Sequence, residues 1–186
     1  MKATAQATAG KKTFVWLPAV LVMSVIFLLS AMSYQQQSLA KPLAGAIHRT
    51  QAGGLLSGVT IRYGSLTIDG AKDGPADVLE FFVRKGAHVA EYMLLAALVL
   101  LAIRHTTRLG FRSAAALALV IAAAFAVTDE FHQLFAKDRG ARPLDVLLDS
   151  GGACLGIAVY GLIAKRRRQA AEAAEPLPAP PSAERP

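Results

Sequence analysis

Long apolar runs separated by short polar segments give the chain its plan. A membrane-crossing helix needs about 20 mostly apolar residues, and Phe14 to Ser33 provides such a run without a single charge. Gly86 to Ile103, Ser113 to Phe135 and Asp145 to Ala164 follow, each with its charges gathered at one end. The pattern predicts an all-α fold, a polytopic membrane helical bundle with about four transmembrane helices, spanning about 14–33, 86–103, 113–135 and 145–164. In the connection at about 34–85, Val59, Ile61 and Tyr63 alternate with polar residues, as do Leu66 and Ile68 beyond Gly64-Ser65. That period of two around a two-residue turn predicts a short extracytoplasmic β-hairpin-like insertion. Pro75 then opens a helical pattern, "PADVLEFFVR", expected to lie at the interface before turning into the second span.

Composition places the chain outside the ordinary soluble class, with 54% hydrophobic and 18% charged residues in 186. Basic residues set the orientation, because short cytoplasmic segments keep Lys and Arg. Lys2, Lys11 and Lys12 precede the first span, Arg104, Arg108 and Arg112 fill the second connection, and Lys165 to Arg168 follow the last span. The expectation is a multi-pass protein of the cytoplasmic (inner) membrane with both termini cytoplasmic: a basic N-terminus at 1–13, a transmembrane domain at 14–164, and a tail at 165–186. Lys137, Arg139 and Arg142 oppose this count from the outer side and are therefore read as functional. The tail is Ala-, Glu- and Pro-rich beyond its basic run and is expected to be disordered. The run itself suits anionic lipid headgroups rather than nucleic acid. Ser38-Leu39-Ala40 imitates a signal-peptide cleavage site, but the preceding apolar run exceeds a usual signal core, so the first span is expected to be retained. The single Cys154 lies within the fourth span and permits no intrachain disulfide.

Against this plan the polar residues acquire a depth. The uncharged run Tyr92 to Ile103 sets Glu91 about 18 Å from the cytoplasmic end, past the middle of a core about 30 Å thick. The same rise puts Asp129 about 24 Å up the third span and Asp149 about 24 Å from Lys165 in the fourth. With alternating span directions, all these groups meet in the outer part of the membrane. His88 and Glu91 are spaced i, i+3, as are Asp129 and His132; Gln133 adds the i+4 position, and Asp145 and Asp149 are i, i+4. Each helix thus offers a polar stripe, and Glu130 points about 100° away from Asp129. A charge facing lipid costs about 2.5–3.5 kcal/mol, so the stripes should face inward, with Lys85, Arg139 and Arg142 as counter-charges. The alanines from Ala114 to Ala126 and the Gly152/Gly156 pair read as structural, allowing close backbone approach.

"KGAHVAEY", "DEFHQLF" followed by Arg139, and "DVLLDSGGACLG" resemble three sequence blocks of the VanZ-like membrane proteins, and "IFLLSAMS" is similar to the end of that family's first span. The resemblance extends over about residues 25 to 160. It implies a small multi-span protein without an agreed biochemical activity, in a family named for an accessory protein of glycopeptide-resistance clusters. By match to its blocks it carries over Lys85, His88, Glu91, Tyr92, Asp129, Glu130, His132, Gln133, Arg139 and Asp145. Asp149 departs, standing where the family pattern is expected to favour Asn.

Three readings of the site remain open at this point. His88, Glu91, Asp129, Glu130, His132, Gln133 and Asp145 could bind or process a membrane lipid or lipid-linked envelope precursor, with Lys85, Arg139 and Arg142 holding its phosphate and a histidine moving a proton. Protonatable groups in a membrane also suit a proton-coupled transporter or relay, although no inverted repeat is evident. Alternatively the stripes pair and hold a scaffold in register. Metal is a variant of the first two, with His88, Glu91, Asp129 and His132 as its ligands; no cofactor is named by any motif. The expected partner is a lipid, with homo-oligomerisation open.

Overall fold

The computed structural model describes residues 14–33, 35–47, 52–135 and 142–174. Its elements in order are α1 (Leu17–Ser30), a single 3-10 turn (Gln35–Gln37), α2 (Ala40–Ile47), α3 (Ala52–Ser57), β1 (Thr60–Tyr63), β2 (Leu66–Asp69), α4 (Pro75–Thr106), α5 (Phe111–Gln133) and α6 (Pro143–Ala173). Helices α4, α5 and α6 are long and apolar enough to cross a membrane. They bury their shared faces and turn large apolar side chains such as Leu94, Val120, Val127, Leu147 and Leu155 outward, as a bundle in hydrocarbon must.

The first expected span differs from its sequence reading. Helix α1 has 14 residues, about 21 Å at the α-helical rise, and it meets the helical stretch Gln35–Gly45 at 117°. Only as this bent pair does the segment reach crossing length. The second span also differs, since the pattern from Pro75 does not turn at the interface but continues unbroken to Thr106. A Pro in the first turn starts α1, α4 and α6, where its missing N–H costs nothing. Helix α6 runs on to Ala173 and takes in the basic run Lys165–Arg168.

The hairpin forms as expected. β1 and β2 pair antiparallel with Tyr63 opposite Leu66, and Gly64 takes the left-handed φ of 60° that the tight turn requires. Its inner residue Ile68 packs with Val78 and Phe81 at the start of α4, seating the hairpin over one end of the bundle.

Small residues set the helix spacing. A Cβ at Gly152 would sit 2.6 Å from the Val89 carbonyl oxygen, and one at Gly156 would be closer still to that of Met93. Helices α4 and α6 therefore touch backbone to backbone. On α5, Ala114, Ala118, Ala122 and Ala126 are fully buried at i, i+4 spacing, and that row leads directly into Asp129, Glu130 and Gln133. Under the polar end, Tyr92, Leu95, Val99, Leu100 and Ile103 of α4 join Ala19 and Ile26 of α1 in the main core.

Candidate functional site

Because α4 runs away from the hairpin end, α5 returns to it and α6 leaves it again, the polar stripes of all three helices converge there. They form two clusters, separated by chemistry as well as position.

The first cluster fastens the hairpin to the bundle. Lys85 Nζ lies 2.5 Å from Asp145 Oδ1, and the Tyr63 hydroxyl donates to the same oxygen at 2.7 Å. Lys85 Nζ also lies 4.7 Å from the Tyr63 ring centroid and 5.8 Å from that of Phe81, a cation-π arrangement. Burial, then the hydrogen bond to Asp145 and the nearby negative charge, push the Tyr63 hydroxyl well above the ordinary tyrosine value. Tyr63 thus stays a donor across the physiological range. Beside it, the Arg142 backbone N–H donates to Glu130, joining the start of α6 to α5, while the buried Arg142 Nε has no hydrogen-bond partner among the described residues.

The second cluster lines a cavity of about 300 Å³ between α1, the 3-10 turn, α4 and α5. His88, Glu91, Asp129 and Gln133 form its polar floor, Arg84 and Gln37 its polar wall, and Ile26, Leu29 and Leu39 its apolar wall. Gln36 and Leu39 are exposed at its rim, so the cavity reaches the surface. Gln133 Nε2 donates to Asp129 Oδ2 at 3.0 Å, which leaves Asp129 Oδ1 buried without a hydrogen-bond partner. His88 Nδ1 faces Asp149 Oδ1 at 3.6 Å, beyond hydrogen-bond length, and both atoms are likewise unpartnered. So is the hydroxyl of Tyr92, whose side chain is wholly buried. A buried polar atom without a partner costs about 1–3 kcal/mol, and four such atoms lie on α4, α5 and α6 at this end.

Sequence reasoning missed the rest of the cavity wall. Glu80, fully buried, accepts from Arg84 Nε at 2.9 Å and from Ser38 Oγ at 3.1 Å, and Arg84 Nη1 donates to Gln37 Oε1 at 3.4 Å. The signal is present: Glu80, Arg84 and His88 continue one i, i+4 row, which a span beginning at residue 86 cuts. His132 leaves the row in the other direction. It lies 3.1 Å from Ser30 Oγ and stacks on Phe27 with centroids 4.0 Å apart, tying α5 to α1. With His132 so engaged, the four expected metal ligands do not make one set, and among the described residues no group of three or more His, Cys, Asp or Glu side chains is placed to hold a metal ion. Of the expected phosphate-binding cations, Lys85 is engaged by Asp145, Arg142 belongs to the first cluster, and Arg139 lies outside the described residues. Arg84 is the guanidinium at the cavity.

Three long apolar helices, with carboxylates buried at one end of their bundle, make this a helical membrane protein. A family model described as VanZ/LLP1 matches residues 15–164, and the chain belongs to the VanZ/LLP1 family. No curated protein and no solved structure matches it.

Proposed function

We propose that the cavity binds the polar headgroup of an envelope lipid or lipid-linked cell-wall precursor, taken from the outer leaflet of the inner membrane. The observation that carries this reading is Asp129, with one carboxylate oxygen held by Gln133 and the other buried beside a surface-reaching cavity with no hydrogen bond of full geometry, Ser30 being its polar neighbour. Asp129 and Glu91 put carboxylate acceptors on the floor beside His88, so a headgroup rich in hydroxyl or amine donors complements it. Arg84, fixed by Glu80 and Gln37, suits a phosphate at the rim, and Ile26, Leu29 and Leu39 suit the first methylenes of the chain. In a catalytic version His88, oriented by Asp149, moves the proton. The topology that fits is a four-crossing one, the bent α1 segment included, with both termini cytoplasmic and the hairpin outside. Through such a lipid the protein would influence sensitivity to glycopeptides that act on the cell wall.

The core argues against the transporter reading. From Leu95 to Ile103 every buried residue of α4 is apolar, as are those of α5 from Ala114 to Ala126. Proton relays need a chain of polar groups or water through such a layer. The test is lipid extraction from protein purified in mild detergent, compared with the membrane it came from. The parent should be enriched in a sugar- or amine-bearing lipid that Asp129→Asn loses. A lipid profile in the parent identical to that of the membrane would refute the reading.

A further inference from the structure

At the end of the bundle away from the hairpin, α5 and α6 part to leave a cleft of about 940 Å³, near the upper limit of the roughly 300–1,000 Å³ of ligand sites. Its long walls are apolar, with Leu119, Ile157 and Leu162 prominent, and its mouth carries Arg104, Lys165 and Arg168. No acidic residue lines it. Arg168 pairs with Glu172 at 2.7 Å on the exposed surface, whereas Arg104 and Lys165 have no acidic partner among the described residues. A Cβ at Gly161 would lie 2.9 Å from Phe111 Cζ, so Gly161 is what lets the Phe111 ring lie against α6 just inside the mouth. The Arg104 guanidinium sits 5.8 Å from that ring.

We propose that this cleft holds one anionic glycerophospholipid, its phosphate on Arg104 and Lys165 and an acyl chain along the wall toward Cys154. The dimensions fit a single leaflet. From Lys165 back to Cys154 the cleft follows α6 for about 16 Å, half of a hydrocarbon core about 30 Å thick. Charge selects the occupant. A second copy of the chain, inserted in the same sense, would bring an equally basic mouth to the same level, whereas a phosphodiester neutralises it. The site is independent of the outer cavity, with the packed alanine layer of α5 between them.

Native mass spectrometry of the full chain released from nanodiscs of equal phosphatidylglycerol and phosphatidylcholine tests this directly. The parent should retain phosphatidylglycerol over phosphatidylcholine by about tenfold or more, and the double variant Arg104→Gln/Lys165→Gln should lose most of that preference. The double variant Arg108→Gln/Arg112→Gln, which removes two cations from the same end but outside the cleft, should keep it. Ala158→Phe, at an exposed position in the cleft wall, should also lose the lipid while leaving every charge in place. Equal retention of the two lipids by the parent overturns the proposal, as does undiminished preference in either cleft variant. A lipid-free dimer that Ala158→Phe dissociates would overturn it in favour of a second copy of the chain.

Discussion

Replacing Asp145 with Asn asks whether the Lys85–Asp145–Tyr63 cluster is a structural bracket. In the parent one oxygen of this nearly buried carboxylate, 4% exposed, takes both the Lys85 ammonium and the Tyr63 hydroxyl. Asn keeps the shape and an acceptor but leaves the ammonium beneath two aromatic rings without its counter-ion. Removing one partner of a fully buried pair costs about 3–5 kcal/mol. Lys85 retains some exposure and could extend toward water, and the amide oxygen still accepts, so about 2 kcal/mol is expected here. Tyr63→Phe should cost about 1.5 kcal/mol, the value of a hydrogen bond to a charged acceptor. Lys85→Met with Asp145→Leu should recover most of the loss, because removing both charges also removes their desolvation penalty. Reversible denaturant unfolding of detergent-solubilised protein reads all of these on one scale. If Asp145→Asn unfolds at the parent midpoint, the bracket reading is wrong, and Asp145 would join the groups held for ligand.

Asp129→Asn should show the opposite behaviour, with stability unchanged or raised, because its second oxygen makes no hydrogen bond of full geometry and the Asn oxygen can still accept from Gln133; a fall as large as that of Asp145→Asn in the same assay would count against the cavity. Gly156→Leu should destabilise by about 3 kcal/mol or more, since it must drive α6 away from the Met93 backbone, and an unaltered melting curve would contradict the backbone contact. Tyr63 is expected to resist ionisation: its folded-state value is raised above the unfolded value of about 10, so its stabilisation is complete below that pH and disappears as pH rises through the folded-state value. Alkaline unfolding curves should therefore converge for parent and Tyr63→Phe, and a constant gap would refute it. Cys154, exposed at the inner end of the α5–α6 cleft, should react with a lipid-soluble maleimide in membranes and resist a charged one.

Local signals made much of the fold legible. The Gly64 turn, the alternation on either side of it and the Gly152/Gly156 pair each encode their geometry within a few residues, and the structure uses all of them. The first span was harder. Phe14 to Ser33 has the composition of a straight crossing, and hydropathy carries no information about a bend between Ser30 and Gln35. At the site, i, i+3 spacing puts His88 and Glu91 on one face of α4 and i, i+4 spacing puts Asp129 and Gln133 on one face of α5, and all four line one cavity. Spacing could not show that His132, one turn from Asp129, rotates toward Ser30 and Phe27, because i+3 and i+4 neighbours diverge enough to face different helices. From the sequence Tyr63 is only one of the alternating residues of the hairpin, since its partner is 82 positions away.

The two polar clusters also explain each other. A membrane helix that carries unpartnered groups such as Asp129 Oδ1 and His88 Nδ1 gives up stability at that end, and the deficit falls where the α1 segment bends and packs through a short helix. The Lys85–Asp145–Tyr63 contact, the Glu130 bond to the start of α6 and the Glu80–Arg84–Gln37 chain all lie at that same end, and each joins separate segments. Hydrogen-bonded contacts around a less satisfied cluster hold its groups in fixed positions. On the other side of the cavity, the Ala114 to Ala126 row of α5 closes the bundle with the smallest side chains available, so the floor carboxylates have no polar route onward. An end that is strongly bracketed, locally unsatisfied and sealed beneath suits the one-sided headgroup binding proposed above.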